Sequence, residues 1–334
     1  MCVKRLALLV MLALAGAAIA GLSTPASAAR TWTVIAGGGT KDLAVISNAF
    51  HPRTLEIAVG DTVRWQFQGF HNVAFTSGQQ PPMLELQEGD KTYLNPKVVF
   101  PAGSKTYAGE GYQNSGLPPD DPAAAAKFGY SLTFTKSGTY QYVCLVHGPA
   151  MSGTVVVKGS AMESPSAAAR KGRTEQAATI RAGQAAWAAY KTERQGATVV
   201  APMIGDARGG WSTLRFTPRP LVISPGTTVT WIMRDPFEIH TVTFLGGTPA
   251  PEFILPQPQA QGPPRLLMNP KVTAPAAGKT YDGMGYVNSG ILYPPGAPDP
   301  LPKSYSLTFT KAGQYAYICV VHVREGMVST VIVK

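Results

Sequence analysis

One pattern of aromatic, glycine and proline residues occurs twice in this 334-residue chain, so a single fold has to account for both halves. Phe50, Pro52, Gly60, Thr62, Val63 and Trp65 recur as Phe216, Pro218, Gly226, Thr228, Val229 and Trp231 at an offset of 166. At 174, Asn95-Pro96-Lys97-Val98 recurs as Asn269-Pro270-Lys271-Val272, and Asn114-Ser115-Gly116 as Asn288-Ser289-Gly290. At 175, the run Tyr130 to Lys136 recurs as Tyr305 to Lys311, and Cys144 as Cys319. The offset grows only between these blocks, as loops of a duplicated domain lengthen while its strands keep their size. Two domains also suit the length of the chain.

Each copy reads as strands. Thr54–Val59 and Thr62–Phe67 flank Gly60-Asp61, Gly138 precedes a strand through Tyr140 to Val143, and Val155–Val157 and Val331–Val333 close the copies as β-branched runs. With 35 Gly and 29 Pro punctuating such short segments, the expected fold is all-β: two tandem Greek-key sandwiches, spanning 29–158 and 197–334. Between them, residues 159–196 form a linker. Ser160–Ala169 is small and polar and is expected to be flexible; Thr174–Arg194 carries Ile180, Gly183, Trp187 and Tyr190 at helical spacing and is expected to form one helix, with Arg170, Lys171 and Arg173 on the solvated side.

Residues 1–28 read as an export signal: Lys4 and Arg5, an apolar run from Leu6 to Ala20, and the small-residue site Ala26-Ser27-Ala28. The run is shorter than the ~20 residues of a spanning helix, so cleavage is expected over retention as an anchor, and the location is periplasmic or extracellular. Removing Lys4 and Arg5 lowers the formal charge from +10 to +8. That basic excess favours acidic partners or surfaces, while no basic helix or aromatic-interleaved basic stretch points to nucleic acid. Cys2 leaves with the signal, and Cys144 and Cys319, in separate cores, are poorly placed to bridge.

The repeated cysteine does not stand alone. Each copy offers a histidine early (His71; His240) and then a tight loop bearing Cys, His and Met: Cys144, His147 and Met151 in the first, Cys319, His322 and Met327 in the second. Imidazole together with soft thiolate suits copper, and two His with one Cys make a trigonal plane that a distant Met caps weakly. Zinc accepts the same donors, but structural zinc sites favour four thiolate or imidazole ligands. A single buried Cys, His or Met is usually packing; two complete copies of the set are not coincidence.

The arrangement, with Phe-x-Pro, Gly-Asp-Thr-Val-x-Trp and His71-Asn72-Val73, resembles the cupredoxin family, plastocyanin and pseudoazurin among its members, over roughly 31–158 and 197–334. The resemblance implies one type 1 (blue) copper per domain, held by His71, Cys144, His147 and Met151 and by His240, Cys319, His322 and Met327, and a carrier of single electrons between redox protein partners. Three departures stand out. Met follows its His by four residues in the first domain and five in the second; Val143 and Ile318 precede the cysteines where plastocyanin has a docking tyrosine; and inserted loops, 78–119 and 246–300, are left free to shield copper or to dock a partner.

Three other readings compete, one of which, an electron-exchanging domain beside a degenerate scaffold, is opposed by the complete donor set in each copy. A fused-domain copper oxidase or nitrite reductase needs more histidines than the chain has: of five, four belong to the two sets, and His51, which faces Thr217 in the repeat and reads as structural, cannot build another centre. A copper-delivery protein would be expected to show exposed, Met- or His-rich ligands, whereas the ten Met here are scattered.

Overall fold

The computed structural model describes residues 28–334; the export signal expected at 1–28 lies, but for Ala28, outside the described residues. Two sandwiches of mixed sheets follow. In the first, one sheet runs in the order Phe50–His51, Thr31–Gly37, Thr62–Gln68, Gly129–Phe134, Thr106–Tyr107; the facing sheet runs Gln113–Asn114, Ala74–Phe75, Gly138–Cys144, Gly148–Lys158, Thr54–Ala58. Alternating burial turns Trp32, Val34, Val63, Trp65, Leu132 and Phe134 inward from one sheet, and Leu55, Ile57, Phe75, Tyr142, Val155 and Val157 from the other.

The second sandwich repeats the scheme. Thr198–Asp206, Thr228–Arg234, Ser304–Phe309 and Thr280–Tyr281 form one sheet; Leu221–Ile223, Val328–Val333, Gly313–Ile318, Thr243–Phe244, Val287–Ser289 and Pro275–Ala276 form the other. Trp231 occupies the place of Trp65, both wholly buried, with Phe244 and Tyr317 at 6.1 and 5.5 Å from its ring as Phe75 and Tyr142 are at 5.8 and 5.4 Å from Trp65. Offset and edge-to-face rings of this kind add to the area they bury.

Backbone pairing and the linker helix stitch the two sandwiches together. Val45–Ser47 of the first half pairs antiparallel with Trp211–Thr213 of the second, extending the second half's sheet across the junction. The inserted loops each raise a hairpin, Glu85–Glu88 with Lys91–Leu94 and Ile254–Gln257 with Arg265–Met268, and these join through Leu267 opposite Tyr93 into one four-stranded sheet. Arg265 lies 3.8 Å over the Tyr93 ring and pairs with Glu88. The loops thus bind one another, a use that the sequence left unassigned.

The linker helix differs from the sequence expectation. It runs Pro165–Ala189, taking in Pro165–Ala169 of the stretch expected to be flexible and ending short of Arg194. Ser164 caps it by accepting from the Ala167 N–H, Pro165 supplies a first-turn residue that needs no donor, and the alanines beyond are the strongest helix formers. Its far end yields to the sheet, where Glu193–Gln195 pairs with Thr198–Val200. Gly172 and Gly183 weaken the helix by about 1 kcal/mol each, but a Cβ would stand 2.7 Å from the His51 carbonyl oxygen at Gly172 and 2.5 Å from Val45 Cγ1 at Gly183, so these glycines let the helix press onto the sheet. Arg170, Lys171 and Arg173 are exposed, as expected. Among the described residues no helix is long and apolar enough to cross a membrane.

Candidate metal centres

Strand ends bring the donors together. His71 stands between the strands Thr62–Gln68 and Ala74–Phe75, Cys144 ends Gly138–Cys144, and His147 lies in the turn that opens Gly148–Lys158. The Nδ1 atoms of His71 and His147 are 3.1 Å apart, and Cys144 Sγ is 3.3 Å from His147 Nδ1. In the second sandwich, His240 and His322 Nδ1 are 3.3 Å apart, with Cys319 Sγ at 3.8 and 3.6 Å from them. In each triad the ligand-type atoms lie within 4.8 Å of one another, and all six residues are buried. Met151 and Met327 are fully buried in the same cores as Cys144 and Cys319, respectively. Both cysteines are free.

A repeated polar clasp ties each histidine turn to its cysteine loop. In the first half the Asn72 side chain accepts from the Leu145 N–H at 2.7 Å and donates to Asn114 at 2.9 Å. In the second, Thr241 Oγ1 accepts from the Val320 N–H at 2.9 Å and reaches Asn288 through Thr243. Asn114 and Asn288 also cap the last carbonyls of the short helices Pro96–Val99 and Pro270–Thr273, while Ser115 and Ser289 accept from the N–H groups of Val73 and Val242. The Asn-Pro-Lys-Val and Asn-Ser-Gly repeats are therefore the buttress of the donor loops, which explains why they recur.

Electrostatics favours thiolates here. Burial alone would raise the Cys144 thiol, but His147 and His71 beside it bring it down to about 5; against the same burial penalty, His240 and His322 hold Cys319 well below the usual thiol range. Burial likewise opposes a charge on His147, and Glu238 with Cys144 overrides it, raising His147 to about 10. His71, with no carboxylate against its outer edge, is lowered by burial. Two imidazoles and a thiolate converging in a dry pocket fit copper, with soft and borderline donors and no thiolate excess that would favour structural zinc.

The outer edges of three histidines meet residues that were not singled out from the sequence. Glu238, 7% exposed, receives His147 Nε2 on Oε1 at 3.2 Å and His322 Nε2 on Oε2 at 3.3 Å. Asn48 donates to Glu238 Oε1 and to Ser212 Oγ, both at 2.9 Å. Asp235 Oδ1 accepts from the Ser212 hydroxyl at 2.8 Å and the Phe237 N–H at 2.9 Å, and its Oδ2 faces His240 Nε2 at 3.8 Å. A signal for these acids was present: His71 follows Trp65 by six positions but His240 follows Trp231 by nine, and the longer stretch contains Asp235 and Glu238.

Paired sandwiches with one buried His–Cys–His cluster apiece define a two-domain copper-binding protein. The model of the copper-binding proteins of the plastocyanin/azurin family matches residues 38–158 and 301–334 of the chain. Among solved structures, an oxidised methionine-to-lysine variant of amicyanin aligns with 21% identity over 42% of this chain and 87% of its own, at a TM-score of 0.25. A Cu(I) methionine-to-alanine variant of amicyanin aligns at 22% identity and 0.24 over the same shares. No curated protein sequence matches the chain.

Proposed function

We propose that the chain is an exported electron carrier with two type 1 copper sites, His71, Cys144, His147 and Met151 holding one and His240, Cys319, His322 and Met327 the other. The observation that carries the reading is the pair of buried three-donor clusters, each with a methionine in the same core. Copper, when bound, supplies a one-electron couple between Cu(I) and Cu(II). The protein's part is to fix the donors beforehand: the Asn72 and Thr241 clasps hold the histidine turns against the cysteine loops, so little has to move when charge changes. Burial of all six His and Cys donors supports retention of the metal and opposes the labile exchange that delivery requires.

The histidine count supports a carrier over an oxidase. The fifth histidine, His51, is buried against Ser47 Oγ at 2.7 Å and is absent from both clusters. The reading includes the domain division 29–158, 159–196 and 197–334, removal of 1–28 on export, and redox proteins as partners. Its test is repeated reduction and reoxidation of the loaded mature protein beside a copper chelator. A carrier keeps two coppers per chain through the cycles; stoichiometric loss to the chelator would establish delivery instead.

A further inference from the structure

We propose that Glu238 couples the two copper sites into one redox unit, its carboxylate being the bonded bridge across which electrons pass between the domains. The inference rests on the two-copper reading above. In both clusters the Nδ1 atoms face the converging donors, which leaves Nε2–H of each outer histidine to point away from its own site. Those two N–H groups, from His147 of the first half and His322 of the second, end on the two oxygens of a single carboxylate. The resulting path is imidazole, hydrogen bond, carboxylate, hydrogen bond, imidazole, and electron tunnelling decays less along such a path than across open space.

The surroundings are built for this bridge. Glu238 is buried, so its charge would be costly without partners, and His147, His322 and Asn48 provide them. Its backbone N–H is held by Asp235 Oδ1 at 3.3 Å, which fixes the carboxylate's approach. Phe237, the neighbouring residue, packs in the first half's core, with its ring 6.5 Å from that of His147, so the second half's loop is anchored in the first. The step balances simply: one electron leaves the reduced site, which is oxidised by one, and arrives at the other, which is reduced by one. No atom or proton changes hands, because both N–H groups stay on their nitrogens.

The test compares Glu238→Ala and Glu238→Gln with the parent protein, all in a Met327→Gln background whose altered axial donor separates the two sites in colour and potential. After pulse reduction by less than one electron per chain, the parent redistributes that electron between sites at a rate independent of protein concentration, and Glu238→Ala slows it by about 10–100-fold, the usual cost of losing a partner of a ligand histidine. Redistribution at the parent rate in Glu238→Ala, or only by collision between molecules in the parent, overturns the bridge while leaving two-copper binding intact. Imidazole nitrogen NMR of the metal-free protein tests the geometry separately. Glu238→Gln shifts the Nε2 signals of both His147 and His322 if the carboxylate spans them; a shift in one alone overturns it. A protein that takes up no copper overturns the carrier reading itself, and the bridge with it.

Discussion

The turn carrying His71 and the turn carrying His240 do the same job in walls of opposite character. In the first half, glycine backbones form the wall: a Cβ would come within 2.2 Å of His71 Nε2 at Gly37 and 2.8 Å at Gly69, and both glycines have positive φ, at 84° and 138°. In the second half the added residues put a carboxylate there, Asp235, fully buried and facing His240. Burial lowers His71, whereas Asp235 and Cys319 outweigh burial and raise His240. Duplication kept the donors and the clasp and altered one loop, which now supplies the second half's own histidine partner and the bridge to the first.

Substitutions that strike one wall and spare the other break this comparison, and Asp235→Ala has the largest expected effect. It removes the acceptor of Ser212, Phe237 and Glu238 and the carboxylate beside His240. A cost of about 4 kcal/mol follows from breaking a buried charged network, read in denaturant unfolding of the metal-free protein, with copper lost from the second site before the first. Gly37→Val is its counterpart. Left-handed backbone strain and the clash with His71 together cost about 3 kcal/mol, and metal analysis should find the first site empty and the second full.

A smaller effect sharpens the comparison through His51, which has no titratable counterpart at Thr217. Burial lowers His51 from 6.5 to about 4. Above pH 6.5 folded and unfolded chains are both neutral at this residue; as pH falls from 6.5 toward 4 only the unfolded chain takes the proton, so folding stability declines with acid by up to about 3 kcal/mol. His51→Gln should flatten that part of the stability profile between pH 6.5 and 4. An unchanged profile would show that His51 is accessible to protons in the native state.

What was legible in the sequence follows from the range of the interactions. Cys144, His147 and Met151 lie on one loop, so their chemistry shows in a short string, and duplication supplied an internal control for it. The strands were legible for the same reason: alternation is local. The linker helix begins earlier than its apolar periodicity indicates, because the Ser164 cap and Pro165 start it within a segment whose small, polar residues carry no helical period. Asn48 and Glu238, 190 residues apart, and the pairing of the two inserted hairpins depend on how the sandwiches dock, which no local pattern encodes.

The central claim is two equivalent thiolate copper sites, and the most direct measurement is copper content together with the visible absorption spectrum of the mature protein loaded with Cu(II), beside Cys144→Ser and Cys319→Ser. Two coppers per chain and an intense thiolate-to-copper band, with both quantities reduced by about half in either variant, are the outcome expected of one type 1 site per domain. A colourless protein, preferential retention of zinc, or loss of the whole band in one variant would contradict it.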